Sequence, residues 1–434
     1  MRKNLLFAVA ASLVLSVSVT NAQDWPKYLG PNGNSVSDQK NLLTTWPQQG
    51  PEVLWSTEVG IGFGGPVVKA GKAYLLDRDD KTGDKLRCFD LATGKVLWDF
   101  GYNAPGSVQF PGSRSVPAID ENRIYTCGPY GDLYCIDINT HKPLWNTNIW
   151  TSFGGGQIPT WAITQCPLVY NNLVIVASQA PQAGVVAYDK MNGKVVWKTA
   201  SLGGAGYVSP VLFKLAGKDQ VVMISASQGR GENASGGKVV GLDPSNGKTL
   251  WEYAGWQCPI PVPTAIEAGD GKLLITGGYR AGAAMIKVGK KADGSFEVSE
   301  LYKNPDFGAH TQPPVLINGY FYAQYTTNER RDGLVCMSID GQVKWKTMRS
   351  PLFDKGGMIV TNGFILSTDG ANKLYLIQPD PTGFKPVASA QLLKAESTGG
   401  DQRFPTQNWA PLALADGKLL IRDQSRLVCV KVVK

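Results

Sequence analysis

The stretch CFDLATGKVLW, residues 88–98, decides the fold because it recurs with variations three more times. The other copies are CIDINTHKPLW at 135–145, AYDKMNGKVVW at 187–197 and GLDPSNGKTLW at 241–251. At the centre of each copy, Asp, Thr and Asn side chains bond their own backbone in turns, and glycine accepts a positive φ. His141 takes the glycine position in the second copy. Each copy therefore predicts a hairpin whose second strand ends in Trp.

A second hairpin pattern precedes the first along the chain. It is written GPVVKAGKAYLL at 65–76, VPAIDENRIYTC at 116–127 and APLALADGKLLI at 410–421. Two short apolar runs flank a turn in each of these segments, which is the signature of paired strands. The two hairpins together give four strands per unit, the anatomy of a propeller blade.

The spacing of the tryptophans that end the units gives the number of blades. Such tryptophans are Trp55, Trp98, Trp145, Trp197, Trp251 and Trp345. The last interval is twice as long as the others, so it contains a degenerate unit that ends near Tyr302. A further weak copy ends near Ala388. We interpret the six indoles as structural docking groups that pack against the next blade, since equivalence across blades is what a wedge requires.

The two ends of the chain complement each other. The segment SRLVCVKVVK stops after a third strand, whereas LWSTEV at 54–59 stands alone before the first hairpin. Pairing these segments would close the ring and remove its exposed edges. The sequence therefore predicts an all-β fold, an eight-bladed β-propeller of four-stranded antiparallel blades. A seven-bladed ring is the alternative.

The N-terminus predicts export. Arg2 and Lys3 precede an uncharged apolar run, and small residues follow up to Ala22, which is typical of a signal peptide cleaved near that residue. We divide the chain into a signal peptide (1–22), an N-terminal extension (23–52) and the propeller (53–434). The mature protein is expected to be periplasmic or secreted, monomeric and without a membrane span. The net charge of +8 is scattered, which disfavours nucleic-acid binding.

The repeats resemble those of a known family. CFDLATGKVLW and its copies are similar to the tryptophan-docking repeats of quinoprotein alcohol dehydrogenases and other PQQ-like propellers, which include BamB. The segment DWPKYLGPNGNSVS at 24–37 is similar to the N-terminal segment of exported bacterial PQQ-like repeat proteins. In the dehydrogenases, the resemblance implies pyrroloquinoline quinone (PQQ) near the axis, a calcium ion, an Asp base and usually a disulfide between adjacent cysteines.

This sequence departs from that pattern. Its seven cysteines include no adjacent pair, no calcium-ligand motif can be matched, and no lipid-acceptor cysteine follows the signal. We therefore predict a non-catalytic binding or scaffold protein of the cell envelope, with no cofactor and with an unknown envelope protein or a saccharide as partner. The alternative is a PQQ-dependent oxidoreductase of alcohols or sugars that binds PQQ with calcium. The cysteines are either disulfide-bonded or buried as free thiols.

Any site should lie on the axial face formed by the loops that enter the blades. Aromatic and amide side chains in these loops could bind a polar, ring-shaped molecule such as a sugar or a quinone. The alternative is that they plug the channel mouth by bonding to neighbouring loops. The predicted ligand-binding residues are Arg114, Trp161, Gln165, Trp256, Gln257, His310, Gln312, Asp354 and Trp409. The same loops also carry Phe63, Tyr207, Lys355 and Gln407.

One acidic segment stands apart from the repeats. DRDDKTGD at 77–84 has the composition of a cation-binding loop but lacks the spacing of an EF-hand. We interpret it as a solvated turn. No residue of the chain is assigned a catalytic role, because no nucleophile and base occur in a recognisable order.

Overall fold

A computed structural model describes residues 23–229, 233–327, 330–395 and 406–434. The expected signal peptide, residues 1–22, lies outside this part of the chain. The described residues form short β-strands and a 3₁₀ turn at Thr151–Phe153. An apolar helix of membrane-spanning length is absent from them.

The strands are numbered in chain order. Those of the first half are β1 (Val36–Ser37), β2 (Val53–Glu58), β3 (Val67–Lys69), β4 (Lys72–Asp79), β5 (Gly83–Asp90), β6 (Val96–Asn103), β7 (Ala118–Asp120), β8 (Arg123–Cys127), β9 (Asp132–Asp137), β10 (Pro143–Asn148), β11 (Leu168–Tyr170), β12 (Leu173–Val176), β13 (Val186–Asp189), β14 (Val195–Lys198), β15 (Val211–Leu215), β16 (Lys218–Ile224), β17 (Val239–Leu242) and β18 (Thr249–Tyr253).

Those of the second half are β19 (Ile266–Glu267), β20 (Lys272–Gly277), β21 (Gly282–Lys290), β22 (Phe296–Asn304), β23 (Val315–Ile317), β24 (Tyr320–Thr326), β25 (Arg331–Ser338), β26 (Val343–Lys346), β27 (Met358–Thr361), β28 (Phe364–Thr368), β29 (Lys373–Gln378), β30 (Lys385–Gln391), β31 (Ala413–Ala415), β32 (Lys418–Arg422) and β33 (Arg426–Lys431).

The strands form eight antiparallel blades, which confirms the eight-bladed propeller. Blade 1 is β3–β6, and each following set of four strands makes the next blade up to β27–β30, which is blade 7. The first strands of neighbouring blades contact one another, as β3 does with β7 and with β31. These first strands therefore surround the axis, and the fourth strands lie at the rim.

Blade 8 closes the ring with both ends of the chain. Its sheet has the order β2-β33-β32-β31, and β2 pairs antiparallel with β33, Trp55 lying opposite Cys429. The degenerate unit is blade 5, whose fourth strand β22 contains Tyr302, as predicted. The seven-bladed alternative is wrong, because the weak copies near Tyr302 and Ala388 both form complete blades.

Four of the six tryptophans bond to the aspartate-containing turn of the next blade. Their indole N–H groups donate to backbone carbonyls, from Trp55 to Leu91 (2.9 Å), from Trp145 to Lys190 (3.1 Å), from Trp197 to Pro244 (3.0 Å) and from Trp345 to Asp380 (2.8 Å). The hairpin turn of one blade is thus the docking surface for the preceding one.

The glycine of the repeat lies directly beneath the docked ring. A Cβ atom on Gly94 would approach the Trp55 ring to 2.5 Å, and one on Gly193 would approach the Trp145 ring to 2.6 Å. Both glycines also have positive φ angles of about 70°. The Thr/Asn-Gly-Lys motif therefore serves the turn and the packing between blades at once.

Four positions depart from this pattern, and the simplest is Ala388 of blade 7, which has no ring. Tyr302 replaces the tryptophan of blade 5, and its hydroxyl donates to the carbonyl oxygen of Ile339 in blade 6 at 3.2 Å. Trp98 stacks on His141, the residue that occupies the glycine position, with ring centroids 4.4 Å apart. Trp251 bonds within its own blade, to Oε1 of Gln220 at 2.6 Å.

Residues 23–52 cross the ring on the side of the turns between first and second strands. Trp25 forms a β-bridge with Val68 of blade 1, and β1 pairs in parallel with β27 of blade 7. The amide N–H of Gly417 in blade 8 donates to Oε1 of Gln39 at 2.7 Å. Trp25 is only 2% exposed, so the segment is packed into this end of the ring.

All seven cysteines are free and buried. Cys127 lies opposite Leu133 and Cys135 lies opposite Tyr125, so the two thiols do not face each other across the β8–β9 hairpin. The thiols therefore behave as small apolar core groups.

Candidate functional site

A cavity of about 270 Å³ lies on the axis, with the N-terminal segment as its floor. Tyr28 of that segment lines it, and every blade contributes at least one residue, nearly all from the loops that enter the blades. The other lining residues are Phe63, Gln109, Phe110, Arg114, Val116, Trp161, Thr164, Cys166, Tyr207, Ser209, Ile260, Val262, Tyr279, His310, Thr311, Gln312, Lys355, Trp409 and Pro411. We refer to it as the axial cavity.

One wall of the axial cavity is a cluster of three rings. Phe63, Phe110 and Trp409 have ring centroids 5.6–6.1 Å apart. The ammonium of Lys355 lies 4.4 Å from the centre of the Trp409 ring, and this lysine is 2% exposed. It also forms an ion pair with Asp354. The wall therefore offers flat apolar faces with a buried cation beside them.

A second ring cluster involves Trp161, Tyr207, Tyr279 and His310. The Trp161 ring lies 5.4 Å from Tyr207 and 6.4 Å from Tyr279, and Tyr279 meets His310 edge to face at 5.0 Å. Loops of blades 3 to 6 supply these rings. The cavity is thus lined by aromatic groups from two sets of blades, an arrangement suited to a planar guest.

Arg114 brings a buried guanidinium to the cavity wall. Its Nη2 donates to the carbonyl oxygens of Gln109, at 2.5 Å, and Phe110. Its Nη1 is buried and has no hydrogen-bond partner among the described residues. Burial lowers the pKa of the guanidinium to about 10, so the group is cationic at neutral pH. A buried charged donor of this kind is satisfied best by an anion.

His310 is held neutral in the cavity wall. Its Nδ1 lies 3.0 Å from the carbonyl oxygen of Thr326. A carbonyl only accepts hydrogen bonds, so Nδ1 carries the proton and Nε2 is an acceptor. Burial and, to a smaller extent, the charge of Lys355 lower the pKa of His310 to about 3.

The lowered pKa of His310 predicts that the folded protein becomes less stable in acid. Between pH 6.5 and about 3 the unfolded chain binds a proton at His310 that the folded chain does not, so stability falls as the pH falls through this window. We expect the His310→Asn variant to lose about 1.4 kcal/mol less per pH unit than the wild type there. Urea unfolding at pH 7 and pH 4.5 measures the difference. Parallel stability curves would show that His310 is protonated in the folded state.

Five of the nine predicted ligand-binding residues line the axial cavity. These are Arg114, Trp161, His310, Gln312 and Trp409. Gln312 also uses its amide to join blades, because Nε2 donates to the carbonyl oxygen of Trp409 at 2.9 Å.

The other four lie in the loop framework behind the cavity. Nε2 of Gln165 donates to the carbonyl oxygen of Gly206 at 3.0 Å, and Nε1 of Trp256 donates to that of Ala281 at 2.9 Å. Gln257 exchanges two hydrogen bonds with the backbone of Gly237. Asp354 reaches the cavity only through its ion pair with Lys355. The two Gln-Cys-Pro segments thus build loops, although the Cys166 thiol touches the cavity.

Three lining residues were not among those predicted from the sequence, namely Gln109, Phe110 and Tyr279. Phe110 and Tyr279 both adopt left-handed backbone conformations, with φ angles of 59° and 54°. No repeat marks either position. Their place in the wall follows from loop conformations that are particular to blades 2 and 5.

A set of glutamines that fixes the loops was also missed. Oε1 of Gln179 accepts from the amide of Gly206 at 2.6 Å, and Oε1 of Gln324 accepts from that of Gly356 at 2.7 Å. Each glutamine thereby clamps the entering loop of the next blade. Alignment of the blades would have revealed them, since each follows the second strand or lies near its end.

The chain is similar in sequence to several known proteins. Residues 82–257 match the family model described as outer membrane protein assembly factor BamB. The chain is 28% identical over 162 residues to a quinoprotein ethanol dehydrogenase of Pseudomonas aeruginosa, covering 36% of this chain and 24% of the relative. It is 27% identical over 173 residues to a tetrathionate hydrolase of Acidithiobacillus ferrooxidans, covering 38% and 30%. The matches thus span less than a third of these relatives.

Solved structures extend the likeness to nearly the whole chain. A europium-containing methanol dehydrogenase superposes with a TM-score of 0.65 at 15% identity, over 94% of this chain and 89% of the other. BamB from Moraxella catarrhalis superposes with a TM-score of 0.55 at 15% identity, over 87% and 97%. At such identities the likeness shows the fold. The repeats, the eight closed blades and these matches together support a PQQ-like β-propeller fold for this chain.

Proposed function

We propose that the chain is a non-catalytic binding protein of the cell envelope whose axial cavity takes a small planar molecule with an anionic group. The observation that carries this proposal is the buried Nη1 of Arg114, which has no acceptor among the described residues of an aromatic-lined cavity. The ring clusters favour a flat guest. Lys355 brings a second cation to the wall, although Asp354 already balances its charge. The expected signal peptide and the match to an outer membrane protein assembly factor support the envelope location.

A calcium-bound quinone fits this cavity poorly. Calcium takes six to eight oxygen ligands with carboxylates among them. The charged groups of the wall are the cations Arg114 and Lys355, and the adjacent carboxylate of Asp354 is already paired with Lys355. Within the described ranges, no group of three His, Cys, Asp or Glu side chains could hold a metal ion. We therefore derive no oxidation step from this site.

A neutral saccharide, the ligand class expected from the sequence, leaves Arg114 without a counter-charge. Sugars stack on aromatic rings, which the cavity offers, but a hydroxyl oxygen that accepts from the guanidinium brings no negative charge to balance the buried cation. A carboxylate accepts the same hydrogen bond and also supplies the counter-charge. The anionic class is therefore favoured, and an envelope-protein partner stays a prediction from the sequence.

The test is a calorimetric titration with matched probes. We expect 2-naphthoate to bind, and 2-naphthamide, which has the same shape without the charge, to bind about 10- to 100-fold more weakly. Maltose represents neutral sugars, and PQQ without added calcium represents larger planar carboxylates. Binding of maltose with no binding of either carboxylate would overturn the proposal. The proposal would also be overturned if none of the four probes bound.

A further inference from the structure

Only the tip of the acidic segment at 77–84 is the solvated turn expected from the sequence, because Asp79, Lys81 and Thr82 are exposed whereas Arg78 and Asp84 are not. The side chains of Arg78 and Asp84 are both completely buried, and Nη1 of Arg78 lies 2.9 Å from Oδ1 of Asp84. Nε of Arg78 lies 3.2 Å from Oδ1 of Asp80. The β4–β5 hairpin thus folds Asp80 and Asp84 around its own arginine, and the Asp84 carboxylate is committed to a buried ion pair.

The remaining donors of Arg78 hold a loop of the next blade. Nη2 donates to the carbonyl oxygens of Ala104, at 2.8 Å, and Gly106, at 2.7 Å. The guanidinium also lies over the Tyr130 ring, 5.1 Å from its centre. These carbonyls belong to residues 104–110, which connect blade 1 to blade 2 and which we call the rim loop.

The far end of the rim loop forms part of the axial cavity. Gln109 and Phe110 line it, and their carbonyl oxygens accept from Nη2 of Arg114. Arg78 therefore holds the loop at its start and Arg114 holds it at its end. Since Nη2 of Arg114 is anchored on this loop, the position of its free Nη1 depends on where the loop lies.

We propose that Arg78 is a positioning residue for the axial cavity: it fixes the rim loop from behind, so that Phe110 and Arg114 are set in place before a ligand arrives. The inference rests on the proposed binding function. Ordering a loop residue on binding costs conformational free energy. When the loop is already ordered, that cost does not reduce the affinity for the ligand.

The experiment compares Arg78→Met/Asp84→Asn with the wild type. Met is an unbranched apolar side chain that can occupy the space of the arginine stem, and Asp84→Asn avoids leaving a buried carboxylate without its partner. Hydrogen exchange reports on the amides of Ala104 and Gly106, which donate to Thr82 and Asp80. We expect these two amides to lose protection while strands β4 and β8 keep theirs, and the affinity for 2-naphthoate to fall about tenfold. Arg78→Lys is the second variant, and Arg349→Met, at an exposed arginine, is the matched control.

The outcomes separate the two proposals. Unchanged protection at Ala104 and Gly106 would overturn the anchoring role of Arg78. Loss of protection with unchanged affinity would overturn its effect on the cavity. If the wild type binds none of the planar anions, the binding function fails, and exchange in the same samples still decides whether Arg78 orders the rim loop. Arg78→Lys keeps the charge with fewer donors, so an intermediate effect is expected.

Discussion

We expect the replacement of Arg114 by Gln to lower the affinity of the axial cavity for 2-naphthoate by about 30- to 100-fold, which corresponds to about 2–3 kcal/mol. Nη1 of Arg114 is buried without an acceptor among the described residues, so a bound carboxylate would receive a charge-assisted hydrogen bond there. Glutamine keeps a polar side chain that can donate hydrogen bonds, but it is two atoms shorter than arginine and carries no charge. Titration calorimetry at neutral pH measures the change.

The neutral probe makes this result specific. Because 2-naphthamide has no charge for Arg114 to bind, its affinity should stay within about twofold of the wild-type value. Arg349→Gln, at an exposed position, should bind both probes as the wild type does. Equal losses for the two probes would mean that the substitution displaced the Phe110 wall, and the assigned role of Arg114 would then be wrong.

The contrast between the ring and its cavity shows what the sequence can encode. Trp55 and its equivalents meet the same turn in successive blades, so one physical requirement is written several times and becomes visible as a repeat. Even Tyr302, which breaks the repeat, keeps the docking contact through its hydroxyl. The eight blades were therefore predictable down to the pairing of the two chain ends.

The residues of the cavity wall are not marked by a repeat. Phe110 lines the cavity only because its loop adopts a φ angle of 59° and is held by Arg78, a residue of a different blade. Gln165 and Gln257 occupy the expected loops, yet their amides bond to neighbouring backbone instead of facing the cavity. Each of these contacts occurs once and joins distant parts of the chain. Sequence reasoning found the right loops and could not orient the side chains within them.

The second large effect is expected at the contact between blades 2 and 3. Trp145 is 8% exposed and bonds to the Lys190 carbonyl, so Trp145→Ala should destabilise the fold by about 3–5 kcal/mol in urea unfolding. The comparison variant is Trp98→Ala. Trp98 is half-buried and stacks on the exposed ring of His141, so its loss should cost less. A larger loss for Trp98→Ala would contradict the docking role of the buried indole.

A double-mutant cycle with Gly193 isolates that docking contact. In the wild type, Gly193→Ala places a methyl group 2.6 Å from the Trp145 ring at a φ of 71°, so it combines a steric clash with backbone strain. In the Trp145→Ala background the clash disappears and only the strain remains, about 1 kcal/mol. The two substitutions together should therefore cost less than the sum of their separate effects, by about 1–2 kcal/mol. Additive losses would mean that the indole and the glycine do not press on each other in solution, and the glycine of the repeat would then be required by the turn alone.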